Sequence, residues 1–203
     1  MHYFILQALQ AAPFAVLGGS LFFLIRRHRQ RKRGLVRSPV REVVLALFVC
    51  YLIGLWALTL EPNNLIGDFW YRVRYHMPPR EGGWFYFRPV LDVRRWSFSF
   101  RLDNLLESRE ARFNLALFLP FGLLFPLLWP RWAWLTPLRG FALSLMIELL
   151  QMPLQRSADA RDVVMNTVGT LIGLLGYSLL CLIAPGFTQA AARKSSRPDK
   201  QPE

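Results

Sequence analysis

Three kinds of residue are scarce in this chain of 203 amino acids, and each scarcity removes a class of function. There are two cysteines, Cys50 and Cys181, and both stand inside apolar runs, where they read as small buried hydrophobes. They do not read as a disulfide framework or a metal pair. The three histidines, His2, His28 and His76, are scattered without a partner at ligand spacing, so zinc chemistry finds no support. No metal and no cofactor are expected. Acidic residues number 13 against 25 lysines and arginines, a net charge of +12. Such a balance ordinarily points to nucleic acid. Here eight of the basic residues crowd between Arg26 and Arg41 beside an apolar segment, which suits membrane topology and anionic lipid better than a groove for DNA. No nucleic-acid partner is expected.

What the chain does have is apolar length. It is 53% hydrophobic, with 16 Phe and 7 Trp, and its apolar residues lie in uninterrupted runs near bilayer thickness. The expected fold is an all-α membrane protein with about five transmembrane helices, over residues 3–25, 43–60, 113–129, 134–152 and 163–184. Pro13 and the Gly18, Gly19 pair can bend the first. Its positive charges follow the apolar stretch, unlike those of a signal peptide. Only residues 130–133 join the third and fourth segments, which forces an antiparallel hairpin. No internal repeat is visible. One integral membrane domain over 1–190 and a polar, disordered cytoplasmic tail over 191–203 are expected.

Lysine and arginine counts set the expected orientation. The 26–41 loop carries eight, the tail after the fifth segment carries four, and Arg131 and Arg139 bracket the third turn. With these facing the cytoplasm, the N-terminus lies outside and the C-terminus inside. The chain is then expected to be a multi-pass protein of a cytoplasmic membrane. The long loop over 61–112 carries nine basic and seven acidic residues, so its charge nearly cancels. It is aromatic-rich and falls on the outer side. Leu65, Ile66, Phe69, Trp70 and Val73 recur at helical spacing, with Asp68 and Arg72 paired at i,i+4 on another face. That predicts a short amphipathic helix in the headgroup layer. Trp96, Phe98, Phe100 and Leu102 alternate with polar residues, an extended segment pressed on the membrane or on the bundle. Trp84, Phe85, Tyr86 and Phe87 add an interfacial belt.

The costly polar groups gather near the C-terminus, in SLMIELLQMPLQRSADARDVVMNTVGTLIG over residues 144–173. Glu148 interrupts an apolar run, and a carboxylate there costs several kcal/mol unless paired or wet. Gln151, Arg156, Asp159, Asp162 and Asn166 follow within eighteen residues. At 100° per residue, Asp162, Asn166, Gly169, Gly173 and Gly176 fall within about 40° of one line on the fifth helix. Ser144, Glu148 and Gln151 share a face of the fourth, and Arg156 can reach Asp159 or Asp162. Asn114 opens the third helix, with Pro120, Phe121 and Gly122 at mid-depth. Asn114, Glu148, Gln151, Arg156, Asp159, Asp162 and Asn166 can therefore meet at one outer interface, with Gly122, Gly169 and Gly173 packing the helices. The bland alternative is an ion-pair cap on the turn and an interhelical hydrogen bond through Asn166.

This ordered series, from Asn114 and Pro120-Phe121-Gly122 through Ser144, Glu148 and Gln151 to Arg156, Asp159, Asp162, Asn166, Thr167 and Gly169, resembles the VanZ-like family of bacterial membrane proteins. The resemblance covers roughly 113–177. It implies a cell-envelope role and an association with low-level resistance to the glycopeptide teicoplanin, without an agreed mechanism.

Three readings stay open. The polar groups can bind or handle an amphiphile at the outer leaflet, with membrane lipids, lipid-linked wall precursors or a lipoglycopeptide as candidate partners. In that reading Arg156 holds a phosphate or carboxylate, while Gln151 and Asn166 bond amides. An intramembrane enzyme could use Glu148 as general base, with Asp159 and Asp162 orienting Arg156 or holding a divalent cation, although no nucleophile stands out. A small transporter or a scaffold for wall-synthesis enzymes is the third; inverted repeats, the mark of many transporters, are not evident.

Overall fold

The apolar runs fold as helices, three of which start on a capping side chain and not at the edge of the hydrophobic stretch. The computed structural model describes residues 2–33, 38–60, 65–84, 96–97, 108–154 and 158–193. Helix α1 (His2–Lys32) continues through Pro13 and past residue 25 into the basic run. Helix α2 (Pro39–Thr59) starts on Ser38, whose hydroxyl accepts from the Arg41 backbone N–H at 3.4 Å, with Pro39 in the first turn. After the short α3 (Leu65–Arg74), helix α4 (Arg109–Leu128) is capped by Ser108, which accepts from Ala111 N at 3.0 Å. The cap draws the polar turn 109–112 into the helix, so α4 begins earlier than its apolar run.

A 3-10 turn (Pro130–Leu135) folds the chain back into α5 (Thr136–Gln151), and a second one (Met152–Leu154) ends it at Pro153. Asp159 then caps α6 (Ala160–Ile183) by accepting from Arg161 N at 2.9 Å. The last helix, α7 (Pro185–Ala192), extends into the stretch expected to be tail, because Ala191 has an apolar site to fill and is fully buried. Residues 194–203 of that stretch lie outside the described residues.

The chain is an all-α membrane protein. Among the described residues four helical stretches are long and apolar enough to cross a membrane: Pro39–Thr59, Arg109–Leu128, Pro130–Leu154 and Ala160–Ile183. Helix α1, 31 residues long, packs along α2. A two-residue strand, β1 (Trp96–Ser97), pairs in parallel with β2 (Ala158–Asp159). Trp96 and Ser97 are thereby laid against the start of α6. Phe98, Phe100 and Leu102 of the predicted alternation, and Phe85, Tyr86 and Phe87 of the aromatic belt, lie outside the described residues.

Helices α4 and α6 make the closest and most extensive packing. A methyl group added to Gly169 would run into the Leu115 carbonyl, one on Gly173 into the Leu119 carbonyl, and one on Gly122 into the Thr170 carbonyl. Backbone thus lies on backbone, which only glycine permits at this separation. Helix α5 also approaches α6 closely at Gly140, where the opposing group is the buried Thr170 side chain. Phe48 of α2 joins Phe121, Phe125 and Trp129 of α4 in an aromatic cluster beside Leu127 and Leu128. Cys50 and Cys181 are free and half-buried, and Cys50 fills the space over Gly19.

One end of the bundle is locked by buried charge. Arg41 donates to the carbonyls of Leu128 at 2.9 Å and of Ala191 and Ala192 at 3.0 Å, so one guanidinium closes the C-terminal ends of α4 and α7. Its neighbour Glu42 accepts from Arg26 at 2.7 and 3.1 Å and from Gln30 at 3.0 Å, fastening α1 to α2. At the other end the loop after α3 folds on itself. Asp68 accepts from Arg72 at 3.0 Å and from Arg80 at 3.0 and 3.1 Å, and Phe69 packs edge-on against Trp84. Arg80 and Gly83 close a tight turn in which Gly82 and Gly83 both have positive φ.

Candidate functional site

The α2 C-terminus, the first turn of α4, the last turn of α5 and the first turn of α6 share the end of the bundle opposite the Arg41 lock. That placement follows from the antiparallel order of α4, α5 and α6. Three polar bridges cross it. The Asn114 side chain of α4 hydrogen-bonds the Asp162 carboxylate of α6. Glu148 of α5, only 2% exposed, accepts from the backbone N–H of Asp159 at 3.0 Å through Oε2, among its contacts. Lower down, Asn166 Nδ2 of α6 donates to Ser144 Oγ of α5 at 2.8 Å, with both residues buried.

Each bridge also has a local cause. Asp159 and Asp162 sit at the N-terminus of α6, where unpaired N–H groups and the helix dipole favour carboxylates. Glu148 satisfies a backbone donor at the chain reversal, one that would be costly to leave orphaned. Gln151 points elsewhere: its Nε2 donates to the Thr59 carbonyl at 2.9 Å, fixing the end of α2 to the end of α5. Gln151 is therefore a clasp between helix ends. Asn114, Glu148, Asp159, Asp162 and Asn166 come together as one polar seam between α4, α5 and α6. Arg156 lies outside the described residues.

The basic group that the described structure sets in this seam is Arg161. Its Nη2 stands 3.9 Å from Glu110 Oε2, beyond hydrogen-bond reach, and its Nε is buried with no hydrogen-bond partner among the described residues. Glu110 occupies the first turn of α4, one turn before Asn114, with its side chain 72% exposed at the rim of the seam. Deeper in the seam Asn166 Oδ1 is also buried and unmatched. Among the described residues one donor and one acceptor are thus left open while Glu148, Asp159 and Asp162 accept hydrogen bonds. Sequence reading passed over Arg161 and Glu110. The available signal for Arg161 was a cation in the first turn of a helix, where the dipole disfavours it. The signal for Glu110 was its i,i+4 spacing to Asn114.

Chemically, the seam contains a guanidinium N–H suited to an anion and an amide oxygen suited to an N–H or O–H donor, both buried beside carboxylates that accept from other groups. Ser144 is fully buried and serves as the acceptor for Asn166. Among the described residues no three His, Cys, Asp or Glu side chains stand close enough together to hold a metal ion.

A family model described as VanZ/LLP1 matches residues 48–182, two thirds of the chain. It takes in the long loop and most of α2 as well as α4–α6, a longer stretch than the 113–177 resemblance read from the motif residues. No curated protein and no solved structure matches.

Proposed function

The chain belongs to the VanZ/LLP1 family, and on that footing we propose that it binds an amphiphilic, lipid-linked molecule at the outer leaflet through the α4–α5–α6 seam. In this reading it contributes to glycopeptide tolerance of the teicoplanin type. The observation that carries the proposal is the pair of open groups, Arg161 Nε and Asn166 Oδ1, in a seam whose carboxylates are already bonded. A buried polar atom left unmatched costs about 1–3 kcal/mol, a cost that a ligand with complementary groups removes. Lipid-linked wall precursors and acylated glycopeptides both carry anionic and amide-rich heads beside a hydrocarbon chain. The anion suits Arg161, and an amide N–H suits Asn166.

In the same reading the Arg41 end, with the basic extension of α1, faces the cytoplasm by the positive-inside rule, and the seam faces outward. Catalysis gains less support, because Ser144 is spent on Asn166 and Glu148 on a backbone N–H.

The test is a tolerance assay in cells that depend on this chain. Arg161→Gln and Asp162→Asn, produced at the wild-type level and with wild-type melting, should abolish tolerance. Full tolerance in both folded variants would contradict the proposal. Loss in Gly169→Leu alone would move the role to a packing scaffold.

A further inference from the structure

The cations at the locked end fall into two groups. Arg41 and Arg26 spend their donors on carbonyls and on Glu42. Arg131 and Arg139, at the α4–α5 turn, are held instead by aromatic rings. The Arg131 guanidinium carbon stands 5.1 Å from the centre of the Trp132 ring. That of Arg139 stands 5.3 Å from the same ring and 4.8 Å from the centre of Phe125. Neither forms an ion pair or a side-chain hydrogen bond among the described residues. An arginine fixed over a ring is immobilised without using its N–H donors, which remain free for an oxyanion.

Below this pair the surface is apolar. Trp134, Leu138 and Phe141 recur at i, i+4 and i+7 and stand 73%, 61% and 43% exposed. They lie on the stretch Pro130–Leu154, one of the four able to cross a membrane. An apolar stripe therefore runs from the turn along a lipid-facing helix, with two immobilised guanidinium groups at its head.

The geometry points to a specific site for an anionic phospholipid at this turn, its phosphodiester shared by Arg131 and Arg139 and its acyl chain laid on the Trp134–Leu138–Phe141 stripe. The site is separate from the seam and does not depend on the function proposed for it. Trp132 sets the spacing of the two cations, and the stripe selects a lipid over a soluble phosphate.

The full chain, delipidated in detergent, is titrated by native mass spectrometry with phosphatidylglycerol and with phosphatidylcholine of the same chains. Wild type should retain phosphatidylglycerol in preference. Arg131→Gln with Arg139→Gln should weaken that retention by roughly ten- to thirtyfold, on the scale of two basic residues at an anionic surface. The double variant Arg29→Gln with Arg31→Gln, which removes two exposed cations of the α1 extension, should leave it unchanged. Arg131→Gln alone, at an exposed position, should give a smaller loss and decides the matter if the Arg131/Arg139 variant does not fold. The proposal is overturned by equal retention of the two lipids, by an Arg131/Arg139 variant that binds as wild type, or by an equal loss in the Arg29/Arg31 variant. Displacement of the lipid by equimolar inorganic phosphate would overturn the lipid assignment.

Discussion

Glu148 and Arg161 carry opposite lessons at the scale of the residue. Glu148 stands out in the sequence because a carboxylate in an apolar run is expensive, and the structure spends it on the Asp159 N–H. Glu148→Ala should therefore lower stability by about 1–3 kcal/mol, read as a fall in melting temperature. Glu148→Gln keeps an oxygen acceptor and should melt close to wild type. Equal melting of the alanine variant would mean that water replaces the carboxylate. Arg161 was illegible because whether it turns into the seam depends on where α6 begins. The Asp159 cap sets that start, and it in turn depends on the pairing of β2 with a loop sixty residues earlier. Gln151 shares a helical face with Glu148, yet its partner is the end of α2. Periodicity shows which residues share a face; it does not show what the face meets.

At the scale of the element, glycine spacing on α6 was readable and its partner was not. Gly169 and Gly173 meet α4 carbonyls, whereas an added methyl on Gly176 would sit 3.9 Å from Leu123 Cδ1, an ordinary contact. Gly169→Ala should accordingly destabilise by about 1–3 kcal/mol, since the opposing group is backbone and cannot step aside. Gly176→Ala should be nearly neutral in the same thermal melt. Matching melts for the two variants would refute the close approach of α4 and α6. Helix α3 was legible down to its Asp68–Arg72 pair, but Arg80 was not, because it arrives through the Gly82, Gly83 turn. The hydrogen bond from Arg80, joined by Arg72, holds the Asp68 carboxyl below the usual carboxylate range against desolvation. A lowered folded value means that the clasp is complete above the ordinary carboxylate pKa and is lost as pH falls toward the folded one. Hydrogen-exchange protection over 65–84, corrected for intrinsic rate, should hold from neutral pH down to about pH 5 and decline below about pH 4. Asp68→Asn should show the reduced protection already at neutral pH.

For the whole molecule, the all-α membrane fold followed from the length of the apolar runs, while the charges at their edges held more than topology. Arg41 belongs to the basic cluster that sets orientation by count, yet it is buried and ties α2 to the ends of α4 and α7. Its carbonyl partners lie about 90 and 150 residues away, beyond any local pattern. Orientation is checked with single cysteines in a Cys50→Ser, Cys181→Ser background. Glu81→Cys should react with an impermeant maleimide in intact cells, and Arg193→Cys only after permeabilisation. The reverse pattern would place the seam on the cytoplasmic side.

The central claim is that the seam between α4, α5 and α6 receives an anionic, lipid-linked head through Arg161. Its most direct test is equilibrium binding of a phosphate-bearing, lipid-linked wall precursor to the purified full chain, beside Arg161→Gln and Asp162→Asn. Saturable binding by wild type that weakens at least about tenfold in both variants, a loss on the scale of one charged hydrogen bond, is the predicted result. Binding of equal strength in all three proteins, or none in wild type, would contradict it.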